Sequence, residues 1–255
     1  MTGKKQRTVL ITGAARGIGL AMAKAFVDHG DFVAIGDLDS QETEEAASQI
    51  GDENAMGYAL NVAEESSVVN FVERVTAERG TVDVIINNAG LQYISKVEEF
   101  PLEKWNLLID VMLTGPFLLI KHTMPYMKKQ KYGRIINISS VHGKTASPYK
   151  SAYISAKHGL VGLTRTIAHE GAEHGITSNA IMPGVVDTLI IRNQLAKLAH
   201  QEGITEEEAL NKHMLHKQAI KQAIKAEDIA ACAVYLASEG AALVTGECIS
   251  VSGGW

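Results

Sequence analysis

Three residues within positions 137–159 carry the chemistry that this sequence supports. The stretch NISSVHGKTASPYKSAYISAKHG contains Ser140, Tyr153 and Lys157. Tyr153 and Lys157 are four positions apart and therefore share one face of a helix. A lysine ammonium next to a phenol is expected to lower the phenol's pKa from its usual value of about 10. With a serine hydroxyl to hold the substrate oxygen, the three groups could move a proton on and off an alcohol or carbonyl oxygen.

Taken alone, Tyr-x-x-x-Lys also fits an ordinary pair on a helix surface. The surrounding chain favours the chemical interpretation, because short apolar runs alternate with longer helical segments, which predicts an α/β fold. We expect a doubly wound, mostly parallel sheet of seven strands, with ligands at the carboxyl ends of the strands. The predicted strands are residues 8–11, 32–36, 55–60, 82–86, 134–138, 177–181 and 247–251, and predicted helices include residues 18–29, 65–79, 102–128, 152–173 and 226–237.

The chain is expected to form a single domain over residues 1–255, since it contains no repeat, low-complexity segment or linker. One stretch breaks the alternation: residues 188–225 have no strand-like run and read as two mobile helices rich in His, Gln and Lys. Its position after a predicted strand indicates a small helical lid over the site.

Composition excludes several classes of partner. The 255 residues include 24 Lys and Arg against 29 Asp and Glu, a net charge of -5, which does not favour nucleic acid or an anionic membrane. No stretch approaches a transmembrane span, and no apolar signal region follows the N-terminus. Cys232 and Cys248 read as buried small hydrophobes, so we expect a cytoplasmic protein. His213 and His216 lack a third ligand in register, and no metal site is predicted.

A glycine-rich turn follows the first predicted strand and opens the first helix. It reads TGAARGIG at residues 12–19 and contains Gly13, Gly17 and Gly19. Glycines let the backbone approach a pyrophosphate, and a helix N-terminus favours its charge. A second cluster, NNAG at residues 87–90, follows the fourth strand, where its amides could brace the sheet and border a cofactor. Either cluster alone is also consistent with a simple turn.

The end of the second predicted strand indicates which dinucleotide binds. Asp37 lies there, and a carboxylate at this position accepts the ribose hydroxyls of NAD and repels the 2′-phosphate of NADP. Asp37 could also be a solvated loop acid, and Arg16 could bind that phosphate. Leu38 adds no second positive charge, so the sequence favours NAD.

These motifs, in this order and over essentially the whole chain, resemble the short-chain dehydrogenase/reductase family. The resemblance rests on TGAARGIG, NNAG, Ser140, YISAK at residues 153–157 and PGVVDT at residues 183–188. It implies a Rossmann-type fold in which Tyr153 is the acid/base, Ser140 orients the substrate oxygen, and Lys157 binds the nicotinamide ribose and tunes Tyr153. The cofactor-binding set that it implies is Gly13, Arg16, Gly17, Ile18, Gly19, Asp37, Asn61, Val62, Asn88, Ala89, Gly90, Tyr153, Lys157, Pro183, Val186 and Thr188.

One position departs from the family pattern. An asparagine commonly stands where this chain has Met112, and it is usually invoked in a water-mediated proton relay from the lysine. A thioether cannot coordinate that water, so another group carries the relay or proton exchange is slower.

Four polar residues fall around the predicted site and would suit a carboxylate. They are an amide soon after NNAG, a possible imidazolium, a lysine at the expected start of a helix and an amide in the lid: Gln92, His142, Lys150 and Gln194. Taken singly, each also fits a surface or capping residue.

The set resembles the (R)-3-hydroxybutyrate dehydrogenases within the family. In that group the four residues, with Ser140 and Tyr153, hold the substrate, and a final tryptophan, Trp255 here, closes the pocket. The implied reaction converts (R)-3-hydroxybutyrate and NAD to acetoacetate and NADH. Val185 replaces a tryptophan common in that group, which leaves room for a longer 3-hydroxy acid. Ser252 replaces an acid that is common before the double glycine, a change expected to affect packing or subunit contact more than chemistry.

Alternative functions remain at this level. One is a sugar-alcohol dehydrogenase or a 3-oxoacyl thioester reductase of the same fold, and another is a non-catalytic NAD-binding protein. The carboxylate-binding set argues against the first, and the intact Ser140, Tyr153 and Lys157 argue against the second. The apolar helices at residues 102–128 and 152–167 predict a homo-oligomer, which the family resemblance makes a homotetramer.

Overall fold

A seven-stranded, entirely parallel sheet forms the centre of the computed structural model, which describes residues 6–51 and 53–255. The first five residues of the predicted domain and Asp52 lie outside the described residues. The strand order is β3-β2-β1-β4-β5-β6-β7, which confirms the predicted doubly wound sheet. The strands are β1 (Thr8–Thr12), β2 (Phe32–Asp37), β3 (Ala55–Ala59), β4 (Val84–Asn87), β5 (Gly133–Ile138), β6 (Ile176–Pro183) and β7 (Cys248–Val251).

Helices cover both faces of this sheet, which explains why the central strands read as continuous apolar runs. β1, β4 and β5 are buried along their whole length. The helices are α1 (Gly17–Asp28), α2 (Ser40–Ile50), α3 (Glu65–Arg79), α4 (Leu102–Ile109), α5 (Gly115–Gln130), α6 (Ser151–Gly171), α7 (Leu189–Glu202), α8 (Glu206–His213) and α9 (Ala226–Leu236).

Helix α2 is absent from the predicted helices. Its sequence, SQETEEAASQI, is mostly polar, and its buried stripe is made of the small residues Thr43, Ala46 and Ala47, with no large apolar side chain among them. The start signal is nevertheless local: the carboxylate of Asp39 accepts hydrogen bonds from the backbone N–H groups of Gln41 (2.8 Å) and Glu42 (3.2 Å). This N-cap satisfies donors that the first turn would otherwise leave unpaired.

The helical stretch Leu102–Gln130 corrects one expectation from the sequence. It runs for 29 residues, and one 18-residue window has a mean hydropathy of 1.4, so by length and composition alone it could cross a membrane. Half of that window is buried inside the protein. A π-helical turn, Asp110–Thr114, joins α4 to α5 within it. The stretch is therefore a long core helix of the α/β fold, interrupted where Met112 packs inward.

The lid segment contains two helices, α7 and α8, as the sequence predicts. Its two ends are held together, because Val186 pairs with Ile224 in an isolated parallel bridge and the N–H of Ile224 donates to the carbonyl of Val185 (2.8 Å). The lid also has a small apolar core of its own around Leu195 and Ala209. The lid is therefore a small helical substructure that joins the rest of the domain where its two ends meet, beyond the end of β6.

Candidate active site

Two adjacent elements position the predicted catalytic residues. Ser140 follows the end of β5, and Tyr153 and Lys157 lie on one face of α6. The hydroxyl of Ser139 donates to the carbonyl of Lys157 (3.1 Å), which joins the turn after β5 to the helix. Ser140 hydrogen-bonds the Tyr153 hydroxyl, and the Lys157 Nζ lies 5.7 Å from the Tyr153 ring centroid. The structure therefore brings these three side chains together.

The electrostatics of this group differ from the expectation. Burial raises the pKa of Tyr153, and the hydrogen bond with Ser140 only partly offsets this. The Lys157 ammonium donates instead to the carbonyl of Ile138 (2.7 Å), and burial lowers the pKa of Lys157 to about 8. Burial and the Ser140 hydrogen bond are the causes of the Tyr153 pKa shift, and Lys157 is not among them, so the predicted lowering of that pKa by Lys157 is not seen in this arrangement.

The expectation that His142 could be an imidazolium is also corrected. Burial lowers its pKa to about 4, helped by the charges of Lys150, Lys217 and His158, so the ring is neutral near pH 7 and not an imidazolium. Its Nε2 forms a hydrogen bond with the Ser147 hydroxyl (2.9 Å), and its Nδ1 lies 3.5 Å from the Ser140 hydroxyl. His142 therefore contributes a neutral hydrogen-bonding group to the site.

A cavity of about 170 Å³ opens beside Tyr153 and Ser140. It collects all four residues predicted to bind a carboxylate, together with the predicted closing residue: Gln92, His142, Lys150, Gln194 and Trp255. Lys150 lies directly before the first residue of α6, as expected. Trp255 packs edge-on against the His142 ring, with centroids 5.6 Å apart.

The two amides meet across the cavity and leave one donor available. The Gln194 Nε2 donates to the Gln92 Oε1 at 3.3 Å. The Gln92 Nε2 is buried and has no hydrogen-bond partner among the described residues. A buried amide donor without a partner costs about 1–3 kcal/mol, so its placement beside a cavity indicates a ligand acceptor.

The cavity lining is cationic. Among the described residues that line the cavity there is no aspartate or glutamate, and Lys150 and Lys217 are both present. Burial, followed by the nearby charge of Lys217, lowers the pKa of Lys150. Sequence reasoning missed Lys217 and several other lining residues, since no pattern in the lid segment singles them out: Ser147, Ile191, His213, Met214 and His216.

The glycine turn forms a tight cradle at the carboxyl end of β1. The N–H of Gly13 donates to the carbonyl of Gly36 (2.7 Å), and a Cβ at Gly19 would lie 2.4 Å from the Gly13 carbonyl oxygen. Gly17 has a φ of +60°, and a Cβ there would meet nothing within 4 Å. The turn is thus packed on the protein side and open on the other, which fits a pyrophosphate at the start of α1.

Asp37 ends β2 beside this cradle. Its carboxylate accepts hydrogen bonds from the N–H groups of Ala15 (3.2 Å) and Leu38 (2.8 Å). The Arg16 guanidinium is paired with Glu42 on α2 at 3.2 Å. That pairing reduces the positive potential that Arg16 offers to a 2′-phosphate, although an exposed pair of this kind is weak.

The NNAG cluster braces the sheet, as predicted. The Asn88 side-chain amide donates to the carbonyls of Thr12 (3.0 Å) and Gly13 (2.8 Å), which ties β4 to the glycine turn. The Asn87 amide donates to the Asn137 side chain (2.8 Å) on β5. Met112 packs here as well, since a Cβ at Gly90 would lie 3.7 Å from its Sδ.

The remaining predicted cofactor contacts lie at the same edge of the sheet. Asn61 follows β3, where its side chain donates to Glu64 (2.8 Å) and accepts from the N–H of Ala63 (3.1 Å). These local contacts occupy the amide that was predicted to face an adenine. The other members lie on α1, after β3 and β4, and at the end of β6 and the start of the lid: Ile18, Val62, Ala89, Pro183, Val186 and Thr188.

Two further predictions concern metals and thiols. Among the described residues no group of three or more His, Cys, Asp or Glu could hold a metal ion. The Nε2 of His213 instead lies 3.0 Å from Glu202 in the lid. Cys232 and Cys248 are free and half-buried, which corrects the expectation of full burial.

Comparisons with known proteins place this architecture. A family model described as short chain dehydrogenase matches residues 7–199. The chain is 40% identical over 254 residues to the D-beta-hydroxybutyrate dehydrogenase of Rhizobium meliloti (strain 1021), with 98% of each chain covered. It is 34% identical over 248 residues to the 3-oxoacyl-acyl-carrier-protein reductase FabG of Escherichia coli (strain K12), covering 97% of this chain and 96% of the relative.

Among solved structures, Levodione Reductase matches with a TM-score of 0.90 at 28% identity, covering 97% of this chain and 96% of that one. This confirms the predicted Rossmann-type fold. The identities to the two curated relatives are close to each other, so sequence similarity alone does not distinguish their substrates. The distinction depends on the groups that line the cavity.

Proposed function

This chain belongs to the short chain dehydrogenase family, and on that premise we propose that it is an NAD-dependent oxidoreductase that interconverts (R)-3-hydroxybutyrate and acetoacetate. Membership of this family makes the protein an oxidoreductase. The substrate proposal rests on one observation: Lys150, Gln92 and Gln194 converge in the cavity that reaches Tyr153 and Ser140. A small hydroxy acid carries a carboxylate and a carbinol oxygen only a few bonds apart, so both groups can lie in one small cavity.

The mechanism follows from what each group can donate or accept. Lys150 and the two amides bind the carboxylate, with charge-assisted hydrogen bonds as the strongest contacts. Ser140 holds the carbinol oxygen against the Tyr153 hydroxyl, and the deprotonated Tyr153 removes the alcohol proton during oxidation. In the reverse direction the Tyr153 phenol returns a proton to the carbonyl oxygen. Lys157 keeps a buried positive charge beside the tyrosine ring.

NAD fits the residues at the other side of the site, and when bound it supplies the hydride acceptor. The open face of Gly17 and the N-terminus of α1 suit its pyrophosphate, and the Asp37 carboxylate suits the adenosine ribose hydroxyls. The Arg16–Glu42 pair and the uncharged Leu38 support NAD over NADP, because neither leaves a strong cation for a 2′-phosphate.

Substrate size is proposed from the cavity wall. Val185 and Ile191 line the cavity where a bulkier side chain would reduce its depth. A 3-hydroxy acid one or two carbons longer than hydroxybutyrate is therefore the second candidate substrate. A sugar alcohol lacks a group for Lys150, and its entry would leave that ammonium unpaired.

The test is the formation of NADH, followed by its near-ultraviolet absorbance. The substrates are (R)-3-hydroxybutyrate, its S enantiomer, a longer (R)-3-hydroxy acid, the neutral (R)-butane-1,3-diol and a sugar alcohol, each with NAD and with NADP. We expect the R acids with NAD to give the highest kcat/KM. Faster oxidation of the sugar alcohol, or equal rates with the acid and the neutral diol, would contradict the proposal.

A homotetramer is also proposed, from apolar side chains that α4 and α5 expose. Leu102 and Phe117 are 71% and 47% exposed on this helical stretch. Burial of such side chains against copies of the chain would stabilise the assembly. Light scattering of the wild type and of Phe117→Glu measures this, and a monomeric wild type would overturn it.

A further inference from the structure

The lid carries a lysine that differs from its neighbours. Lys217 ends the short 3-10 helix Leu215–Lys217, and its side chain lines the substrate cavity. Lys212 is paired with Glu202 (2.8 Å), and the Lys221 ammonium donates to the carbonyls of Leu215 (3.0 Å) and His216 (3.0 Å). No carboxylate within the described residues lies within 4.0 Å of the Lys217 ammonium. Its charge is therefore available to a ligand.

The ammonium of Lys217 is held at the cavity by an aromatic ring. Its Nζ lies 5.3 Å from the ring centroid of Trp255, a separation at which a cation is attracted to the ring face. Trp255 in turn contacts the His142 ring at 5.6 Å. This stack places the lid cation on the same wall as the groups that contact the substrate.

The charge of Lys217 already acts within the site. After burial, it is a cause of the lowered pKa of both Lys150 and His142. The two lysine ammonium groups repel one another, and no acid among the described lining residues offsets this repulsion. An anion bound between them would stabilise the charged form of both. A carboxylate held by Lys150 from α6 is thus within the field of a second positive charge from the lid.

We propose that Lys217 is a specificity-determining residue that brings a second ammonium from the lid to the carboxylate of the substrate. The inference rests on the proposed function, because it assigns to Lys217 a share of the same carboxylate. Anionic substrates are then recognised from two walls, the fixed start of α6 and the lid. A neutral alcohol of the same size gains nothing from Lys217.

The experiment compares Lys217→Ala and Lys217→Arg with the matched control Lys212→Ala, a lid lysine outside the cavity. Each variant oxidises (R)-3-hydroxybutyrate and the neutral (R)-butane-1,3-diol with NAD. For Lys217→Ala we expect kcat/KM for the acid to fall roughly 5- to 30-fold, the magnitude of one charged contact. The fall should appear in KM, with kcat, the KM for NAD and all diol parameters unchanged. Lys217→Arg should retain most of the activity because it keeps the charge.

Two outcomes overturn the inference. Equal losses for the acid and the diol would show that Lys217 serves the lid's structure and not the anion. Identical behaviour of Lys217→Ala and Lys212→Ala would remove Lys217 from the site.

Failure of the proposed function has a different signature: the wild type would oxidise the acid no better than the diol. Calorimetric titration of acetoacetate into the protein with NAD present then tests Lys217 without turnover. Weaker binding of acetoacetate to Lys217→Ala than to the wild type supports the role of Lys217. Equal affinity in the two proteins, or no detectable binding to either, refutes it.

Discussion

The cofactor edge, which is the glycine turn with Asp37 and NNAG, and the substrate cavity both lie beyond the carboxyl ends of the strands but are built by different means. At the cofactor edge the backbone sets the shape: the N–H of Gly13 bonds the carbonyl of Gly36 at 2.7 Å, and the Asn88 amide bonds the carbonyl of Gly13 at 2.8 Å. A Cβ at Gly13 would come within 2.7 Å of the Ala89 Cα. The side of the turn that faces the protein is therefore preorganised and has no room for an added atom at Gly13 or Gly19.

The substrate cavity is assembled from side chains of six separate places in the chain. They are the loop after β4, the turn after β5, the start of α6, the segment after β6, the lid and the C-terminus, represented by Gln92, His142, Lys150, Val185, Gln194 and Trp255. Several of these groups are loosely paired, such as the 3.3 Å contact between the two amides. The cavity therefore depends on electrostatics and on the lid more than on close packing.

Because of this difference, the cofactor edge and the substrate cavity should respond to mutation in different ways. Steric changes should damage the cofactor edge and lower both NAD affinity and stability. Charge changes should damage the substrate cavity and raise KM for an anionic substrate without affecting the fold. The following predictions test that division, beginning with the largest expected effect.

Tyr153 lies where the two regions meet, and its loss should separate binding from chemistry. Tyr153→Phe removes the proton acceptor, so we expect kcat to fall roughly 10²- to 10⁴-fold. NAD affinity, measured by calorimetry, should stay within a factor of about two of the wild type. The exposed Tyr149→Phe serves as the control. Turnover equal to wild type would refute the acid/base assignment.

Gly19 tests the packed side of the cofactor edge. A Cβ there would lie 2.4 Å from the Gly13 carbonyl oxygen and 2.6 Å from the Ala14 Cα, so the turn must shift. Gly19→Ala should weaken NAD binding at least about 10-fold and lower the free energy of unfolding by about 1–3 kcal/mol. Urea denaturation and NAD titration measure both. In Gly162→Ala, where a Cβ meets nothing within 4 Å, neither quantity should fall.

Lys150 tests the charged wall of the substrate cavity. Lys150→Ala should raise KM for (R)-3-hydroxybutyrate roughly 10- to 100-fold, because a charged hydrogen bond contributes about 1.5–3 kcal/mol. The KM for NAD and the unfolding midpoint should not change. Lys144→Ala, whose ammonium bonds the Ser250 hydroxyl at 2.8 Å outside the cavity lining, is the matched control. An unchanged KM would exclude Lys150 from substrate binding.

The pH dependence gives the smallest effect and separates Tyr153 from Lys150. Oxidation should accelerate as pH rises, because Tyr153 must be deprotonated and burial raises its pKa. The pKa of Lys150 is lowered, mainly by burial and then by Lys217, so its ammonium is lost at a lower pH than in an ordinary lysine.

The ratio of kcat/KM for the acid to that for the neutral diol cancels the contribution of Tyr153. This ratio should therefore fall severalfold between about pH 7 and about pH 10. A constant ratio would refute the role of the Lys150 charge. Because the pKa of His142 is about 4, the ratio should show no inflection near the usual imidazole pKa of about 6.5.

Local patterns were sufficient for the sheet and for the glycine turn. Apolar runs indicated the strands because both faces of the sheet are covered, and the glycine turn could be read because its backbone geometry tolerates few residue types. Helix α2 was missed, since its sequence is mostly polar and its buried stripe consists of small residues, which give a weak apolar signal. The lid helices were identified from the absence of a strand.

The protonation states were misjudged for a common reason. A pKa depends on burial and on the direction of each hydrogen bond, and neither can be read from spacing along the chain. Lys157 lies four residues from Tyr153 but donates to the carbonyl of Ile138. His142 stands in a motif that suggests a cation, yet burial and neighbouring lysines keep it neutral.

The sequence by itself determined the fold class, the grouping of Ser140, Tyr153 and Lys157, and the cofactor turn, because apolar periodicity, glycine spacing and the order of motifs can be read along the chain before it folds. The tertiary structure alone decided that Lys217 and Lys150 line the same cavity and that, among the described residues, the Gln92 amide nitrogen has no partner and no acid lines the cavity. Those features arise where segments distant in the chain meet, so their electrostatics appear only once the chain has folded.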